Sequence, residues 1–282
     1  MRRRIATAAA AVLAPVVLTG CASGMASTTP AAPAPAGLWF AVKGDWGYGG
    51  TDQAAVTSRM CAENAVSPFA FVLTVGDNFY NPDGMATAAN FTKREACLLR
   101  AGVTWYAAWG NHDEGRTGTA TALHTPRHWY TFARGPVRVI VLDANQTTST
   151  AQRRFLATTL KRSTQPMRIV AFHQPAYTMG LHAPNTDAQR LWVPLFRRYG
   201  VALVLSGHNH AYERMVVNGV TYITTGGGGA PLYPCIRPAP GAKKCTSEYE
   251  FLTISATGAS ATVRAERPDG TLIERVVVPA RS

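Results

Sequence analysis

Carboxylates are scarce in this 282-residue sequence: 16 Asp and Glu stand against 28 Lys and Arg, a formal net charge of +12. The cations are scattered rather than clustered, which argues against a nucleic-acid partner and leaves solubility and a weak pull on anionic surfaces. Cysteines number only five and none stands in a CxxC spacing, which argues against a cysteine metal site. No repeat is present, and the longest apolar run falls short of the roughly 20 residues that a spanning helix needs. After residue 37 no second Pro- or Gly-rich linker interrupts the chain, so residues 38–282 read as one domain.

What is present starts at the N-terminus. MRRR followed by IATAAAAVLAPVVLT reads as a secretory signal, a basic end before an apolar stretch that contains Pro15. LTGC (18–21) resembles a bacterial lipobox, so residues 1–20 are expected to be removed and Cys21 to carry a lipid. An ordinary signal, cut near ASGMAS, is the alternative. Residues 21–37 lack an apolar period and are rich in Pro, Ala and Thr, the composition of a tether that stands a domain off a membrane. Loss of Arg2, Arg3 and Arg4 leaves a charge of about +9. The expected location is the cell envelope, lipid-anchored with the domain outside the cytoplasm, or secreted in the alternative. Cys61, Cys97, Cys235 and Cys245 remain, an even number in an exported chain, and two disulfides are expected. Cys235 with Cys245 would close a short loop and Cys61 with Cys97 a longer one; other pairings stay open.

Apolar runs at 38–44, 69–76, 103–110, 137–143, 168–172 and 201–207 have the length and the bounding residues of buried strands. Helical stretches lie between several of them: DQAAVTSRMCAEN with Thr51 as its cap, TAQRRFLATTLKR, and DAQRLWVPLFRRYG with a terminal glycine. Beyond residue 210 the pattern turns to hairpins, with Asn218-Gly219 as a two-residue turn. Strands mixed with helices in this way predict an α/β layered domain with two sheets.

The informative feature is the set of residues at which the runs end. The strand ends deliver Asp45, Asp77, Asn111-His112, His173 and His208-Asn209-His210. Catalytic and ligand-binding groups in α/β sheets collect at the carboxyl ends of strands. One Asp after a Gly is ordinary turn chemistry, but five strand ends carrying carboxylate, amide and imidazole together point to a site. These are ordinary ligands of first-row metals. Asp45, Asp77, Tyr80, Asn111, His173, His208 and His210 are too many for one ion. Two ions about 3.5–4 Å apart, sharing a carboxylate, absorb all seven.

GDWG (44–47), GDNFY (76–80), GNHD (110–113), VAFH (170–173) and GHNH (207–210) are similar in order and spacing to the motifs of the purple acid phosphatases, within the calcineurin-like metallophosphoesterases. The resemblance runs from about Trp39 to Gly229 and is closest to the small, single-domain form. It implies a four-layer α/β/β/α sandwich of two mixed sheets flanked by helices. It further implies Fe(III) held by Asp45, Asp77, Tyr80 and His210, and a divalent ion (Fe, Zn or Mn) held by Asp77, Asn111, His173 and His208, with Asp77 bridging. Charge supports the division, because Asp45, a Tyr80 phenolate and half of Asp77 suit a trivalent ion. His112 and His182 resemble family histidines that bind phosphate and protonate the leaving group. Asp113 is expected to orient a ligand or His112, while His124 and His128 read as structural or exposed.

The implied activity is acid phosphomonoesterase, hydrolysing phosphorylated small molecules or proteins with a metal-activated water. A phosphodiesterase or nucleotide hydrolase on the same frame, and a non-catalytic metal-binding lipoprotein, are the alternatives. The glycine run TTGGGGAP (224–231) lacks the Lys and the helix of a nucleotide P-loop. It is expected to form a backbone rim near the metals that leaves space for substrate.

Overall fold

The apolar runs pair into two sheets. The first has the order β13-β12-β11-β1-β2-β3 and the second β10-β8-β9-β7-β6-β5-β4. In the first sheet, β1 (Leu38–Lys43), β2 (Phe71–Thr74) and β3 (Thr104–Ala107) run parallel. The antiparallel strands β11 (Phe251–Ala256), β12 (Ser260–Glu266) and β13 (Leu272–Pro279) extend it from β1. The second sheet has a parallel centre of β5 (Val137–Val141), β6 (Met167–Ala171), β7 (Leu203–Ser206) and β9 (Val220–Thr225). Its antiparallel flanks are β4 (Tyr130–Arg134), β8 (Tyr212–Val217) and β10 (Ala242–Thr246). The computed structural model describes residues 37–125 and 127–281, so the signal, lipid-anchor and tether expectations lie outside the described residues.

The sheets pack face to face. Phe40, Phe71 and Leu73 from the first interlock with Val139, Ile169 and Leu203 from the second, all essentially inaccessible to water. Each such Leu or Phe contributes about 1.5–3 kcal/mol of burial free energy. Helices α1 (Thr51–Val66) and α2 (Ala96–Arg100) cover the outer face of the first sheet through Val56, Met60 and Leu98. After the short α3 (Gly118–Ala122), helices α4 (Thr150–Arg162), α5 (Thr186–Leu191) and α6 (Val193–Arg198) cover the second through Leu156, Leu160, Trp192 and Phe196. The four expected layers are therefore present. Disulfides join Cys61 to Cys97 and Cys235 to Cys245. The Asn218-Gly219 turn has the two positive φ values (52° and 77°) of the predicted hairpin.

Two local expectations are corrected, and two edge strands are added. Thr51 is the first helical residue rather than the cap; Gly50 takes the cap position, and Gln53 Oε1 instead accepts the Gly49 N–H at 2.8 Å. DAQRLWVPLFRRYG forms two helices, not one, because Pro194 cannot donate to the preceding turn and sits in the first turn of α6. The edge strands β4 and β10 carry no strong apolar run and were not anticipated.

Candidate metal centre

The parallel strands of both sheets end at one place, and three of the residues there have left-handed backbones: Asp45 (φ 55°), Asp77 (φ 49°) and His208 (φ 70°). Such conformations cost a non-glycine residue about 1–3 kcal/mol and persist where the surroundings enforce them. The enforcement is visible. The His208 N–H donates to the Asp45 carboxylate (2.9 Å to Oδ2), and the His112 N–H donates to Asp77 Oδ1 at 2.9 Å. Gly76 has φ 97°, and a Cβ there would lie 2.6–2.8 Å from the His173 ring. A Cβ on Gly110 would meet Asp77 itself. These two glycines let the loops close on the carboxylate and the imidazole.

Asp45, Asp77 and His173 are buried and offer ligand atoms that all lie within 4.8 Å of one another. Tyr80 joins them: its hydroxyl is 3.2 Å from Asp45 Oδ1, 3.2 Å from Asp77 Oδ2 and 3.1 Å from His210 Nε2. Two histidines are oriented by the same device. His173 Nδ1 donates to the Val75 carbonyl (2.9 Å) and His210 Nδ1 to the Pro231 carbonyl (2.6 Å), which turns each Nε2 toward the carboxylates. His173 Nε2 is 3.2 Å from Asp77 Oδ2, but without the alignment of a hydrogen bond, and is a buried polar atom with no hydrogen-bond partner.

The electrostatics fit a cation. Burial, reinforced by the charges of Asp45 and Asp77, holds the Tyr80 phenol well above its ordinary value, so only a strong cation among these oxygens would make it a phenolate. Burial would lower His173, but Asp77 and Asp45 outweigh it and lift the imidazole to about 9. Burial would likewise raise Asp77, yet the His173 charge pulls it below the usual carboxylate range. A buried imidazole nitrogen without a hydrogen bond, between two carboxylates and a phenol, matches the donor chemistry of a first-row metal.

The remaining sequence-predicted residues ring this centre. His208 meets His173 edge-on (centroids 5.1 Å), and burial with the His173 charge lowers it to about 3. Asn111 is exposed, next to the Gly110–Asp77 contact. His112 has a side chain 43% exposed, with its ring 4.5 Å from that of Tyr80. His182 is stacked on His208 at 4.3 Å. Asp113 touches neither ring. It accepts from Gly110 N (2.8 Å), Asn78 N (3.1 Å) and Thr119 Oγ1 (2.8 Å), so it holds the two loops that carry Asp77 and Asn111, and burial raises it to about 6. His128 stacks on Trp109 (4.2 Å) and pairs with Asp143 (2.7 Å), outside the centre, and His124 is exposed.

The glycine run is corrected. Gly226–Gly229 are buried, and their missing Cβ atoms face Asn209 O, Glu250, Trp46 and Gln53 rather than open space. Gly228 N donates to Gly44 O at 3.1 Å and Ala230 N to Asp45 O at 3.0 Å, so the run is a packing seam under Asp45. Two residues near the centre escaped sequence reasoning. Tyr233 stacks on His210 (4.0 Å, 10°), and Glu250 is fully buried behind Asp45, accepting from Thr225 Oγ1 (2.9 Å). Tyr233 follows a strand-less stretch without a period, and Glu250 precedes β11 as one acid among several.

Residues 38–212 match the Calcineurin-like phosphoesterase family. Purple acid phosphatase 7 of Arabidopsis thaliana is 26% identical over 232 residues, 68% of this chain and 70% of that protein. Tartrate-resistant acid phosphatase type 5 of Rattus norvegicus is 24% identical over 236 residues, 68% of this chain and 72% of that protein. Among solved structures, GAP50, the anchor in the inner membrane complex of Plasmodium, superposes with a TM-score of 0.75 at 18% identity, over 87% of this chain and 89% of that one. Purple acid phosphatase PPD1 from yellow lupin seeds gives 0.66 at 17% identity, covering 85% of this chain but only 53% of that larger chain. At these identities the superpositions speak for the fold alone, whereas the match of residues 38–212 spans most of the described chain. Together with the strand-end carboxylates and imidazoles, it establishes that the chain belongs to the calcineurin-like phosphoesterase family.

Proposed function

We propose that the protein hydrolyses phosphate monoesters as a binuclear acid phosphatase. The observation that carries this reading is the placement of the Tyr80 hydroxyl 3.1–3.2 Å from Asp45, Asp77 and His210, a donor set with the charge to hold Fe(III). Asp77, Asn111, His173 and His208 would hold the divalent ion, with Asp77 shared. Two bound cations would supply Lewis-acid charge to the phosphoryl oxygens and acidify a water.

The chain's own groups do the rest. His112 has its backbone fixed on Asp77 and its ring half in solvent, so it can donate to a phosphoryl oxygen of an incoming substrate. His182, stacked on His208, would be the proton donor to the departing alcohol. Burial and the neighbouring His210 hold the His182 imidazole below its ordinary value. Turnover of esters with poor leaving groups should therefore rise as pH falls.

The wider setting belongs to the same proposal. Residues 1–20 are read as a signal, Cys21 as lipid-anchored on a tether ending at residue 37, and phosphorylated small molecules or proteins as substrates. Two disulfides support an oxidising compartment. Among the described residues no helix is long and apolar enough to cross a membrane. The test is the visible spectrum of the oxidised, iron-loaded protein together with its activity on a monoester and a diester. A phenolate-to-Fe(III) band that vanishes in Tyr80→Phe, with monoester preferred, is expected; a colourless, iron-loaded wild type would overturn the assignment.

A further inference from the structure

The loop that carries His182 contains no regular element, yet its backbone is held from three directions. Asn209, buried between the candidate ligands His208 and His210, accepts the His182 N–H at 2.8 Å and donates to the His182 carbonyl at 3.3 Å. The same amide donates to Thr178 Oγ1 at 2.7 Å. Glu213, also buried, accepts from Met179 N (2.6 Å) and Thr178 Oγ1 (2.9 Å). The third contact comes from far along the chain. The Arg237 guanidinium donates Nε to the Gly180 carbonyl (2.9 Å) and Nη2 to the Leu181 carbonyl (2.5 Å), the two residues before His182.

Arg237 is itself tied down. The N–H groups of Ile236 and Arg237 both donate to the Met179 carbonyl, at 2.8 and 3.0 Å. Cys235, two residues earlier, is bonded to Cys245 in β10. Residues 231–241 thus form a strap that leaves the glycine seam, passes Tyr233 over the His210 ring, crosses the His182 loop and returns to the second sheet through the disulfide. Tyr233 also meets the His182 ring edge-on at 5.2 Å.

We infer that Arg237, anchored by the Cys235–Cys245 disulfide, is a positioning residue that fixes His182 for proton transfer to the leaving alcohol. Asn209 pins the His182 backbone through both its N–H and its carbonyl. The planar fork of Arg237 holds two successive carbonyls at once and so fixes the rotation of the loop, which a point charge on a flexible stem cannot do. The inference rests on the phosphomonoesterase reading and on His182 as its acid. It adds that leaving-group assistance depends on a contact made by the strap, outside every motif of the metal centre.

The test separates positioning from general support. Metal-loaded wild type, Arg237→Ala, Arg237→Lys, His182→Ala, the Arg237→Ala/His182→Ala pair and a Cys235→Ser/Cys245→Ser variant are compared on 4-nitrophenyl phosphate and n-butyl phosphate. A nitrophenolate leaves without a proton, whereas a butoxide needs one; general acids contribute about 10²–10⁴-fold to such steps. Arg237→Ala should lower the butyl-to-nitrophenyl ratio about tenfold with metal content unchanged, and Arg237→Lys should restore it in part. The cysteine variant should lower the ratio in the same direction. In the His182→Ala background Arg237→Ala should change the ratio no further, because two residues acting as a unit are not additive.

Equal loss on both esters, or a further fall of the ratio without His182, would overturn the inference. Should Arg237→Ala fail to fold, the Lys and cysteine variants decide by the same ratio. A wild type inactive on both esters would overturn the phosphomonoesterase reading and the inference with it, a result that the wild type alone reveals.

Discussion

The two sheets contribute different chemistry to the same centre. The first sheet ends in oxygen donors, Asp45, Asp77, Tyr80 and Asn111; the second ends in the imidazoles His173, His208 and His210. One wall carries the carboxylates and the other the imidazoles, two of which, His173 and His210, are aimed by backbone carbonyls. The difference teaches how such a centre stays folded before a cation arrives. His173 takes up a proton, driven to about 9, and faces Asp77, so the walls attract rather than repel. The strain is shared as well, with left-handed residues at Asp45 and Asp77 on one wall and at His208 on the other.

Removing a donor from each wall should expose the contrast. Asp77→Asn takes away the carboxylate common to both proposed ligand sets, so turnover should fall by about 10³-fold or more and metal should be lost from both positions. His208→Ala should empty one position only. Metal stoichiometry and kcat, measured together, check the pair.

A second way to sharpen the comparison is a link between the walls. Glu250, next to β11 of the first sheet, accepts from Thr225 at the end of β9 in the second. Burial raises its carboxyl from 4.5 to about 8, against the pull of those hydrogen bonds. A folded value above the unfolded one means that the contribution is full below pH 4.5 and is lost as pH rises through 8. Glu250→Gln removes that loss, so the variant should be more stable than the wild type by about 4 kcal/mol at pH 8 and nearly equal to it at pH 4.5. Urea unfolding at the two pH values measures the difference.

The smallest of the three effects should come from the contact of the walls themselves. Gly76→Ala places a methyl in a left-handed position and against the His173 ring. It should cost about 2 kcal/mol of stability and lower turnover by displacing His173, both readable from a denaturant melt and a rate.

The layered fold was legible because the central strands announce themselves by apolar runs, and Asp45, Asp77 and His173, which the structure gathers, stand within three residues of the ends of β1, β2 and β6. Asp113 was legible as a supporting group, although what it holds is backbone rather than a ring. The glycine run misled because a missing Cβ looks the same in sequence whether the space is filled by substrate or by Asn209 O and Gln53. Tyr233 and Arg237 lie in PLYPCIRPAPGAK, a stretch without period whose course is fixed by distant carbonyls and one disulfide. Their contacts are made by tertiary structure alone. The division of 186–198 into two helices shows the converse, since Pro194 was visible and its consequence came from the missing N–H.

The strand order of the first sheet has a consequence for the timing of assembly. β1, which delivers Asp45, is flanked by β2 on one side and by β11 on the other, and β11 is more than 190 residues later in the chain. While the chain is synthesised or threaded through a pore, the oxygen wall therefore lacks one border until its last strands emerge. Asp45 is therefore expected to take its final place only when β11 pairs with β1, and the compartment in which folding finishes is the one whose metal supply a completed centre would sample.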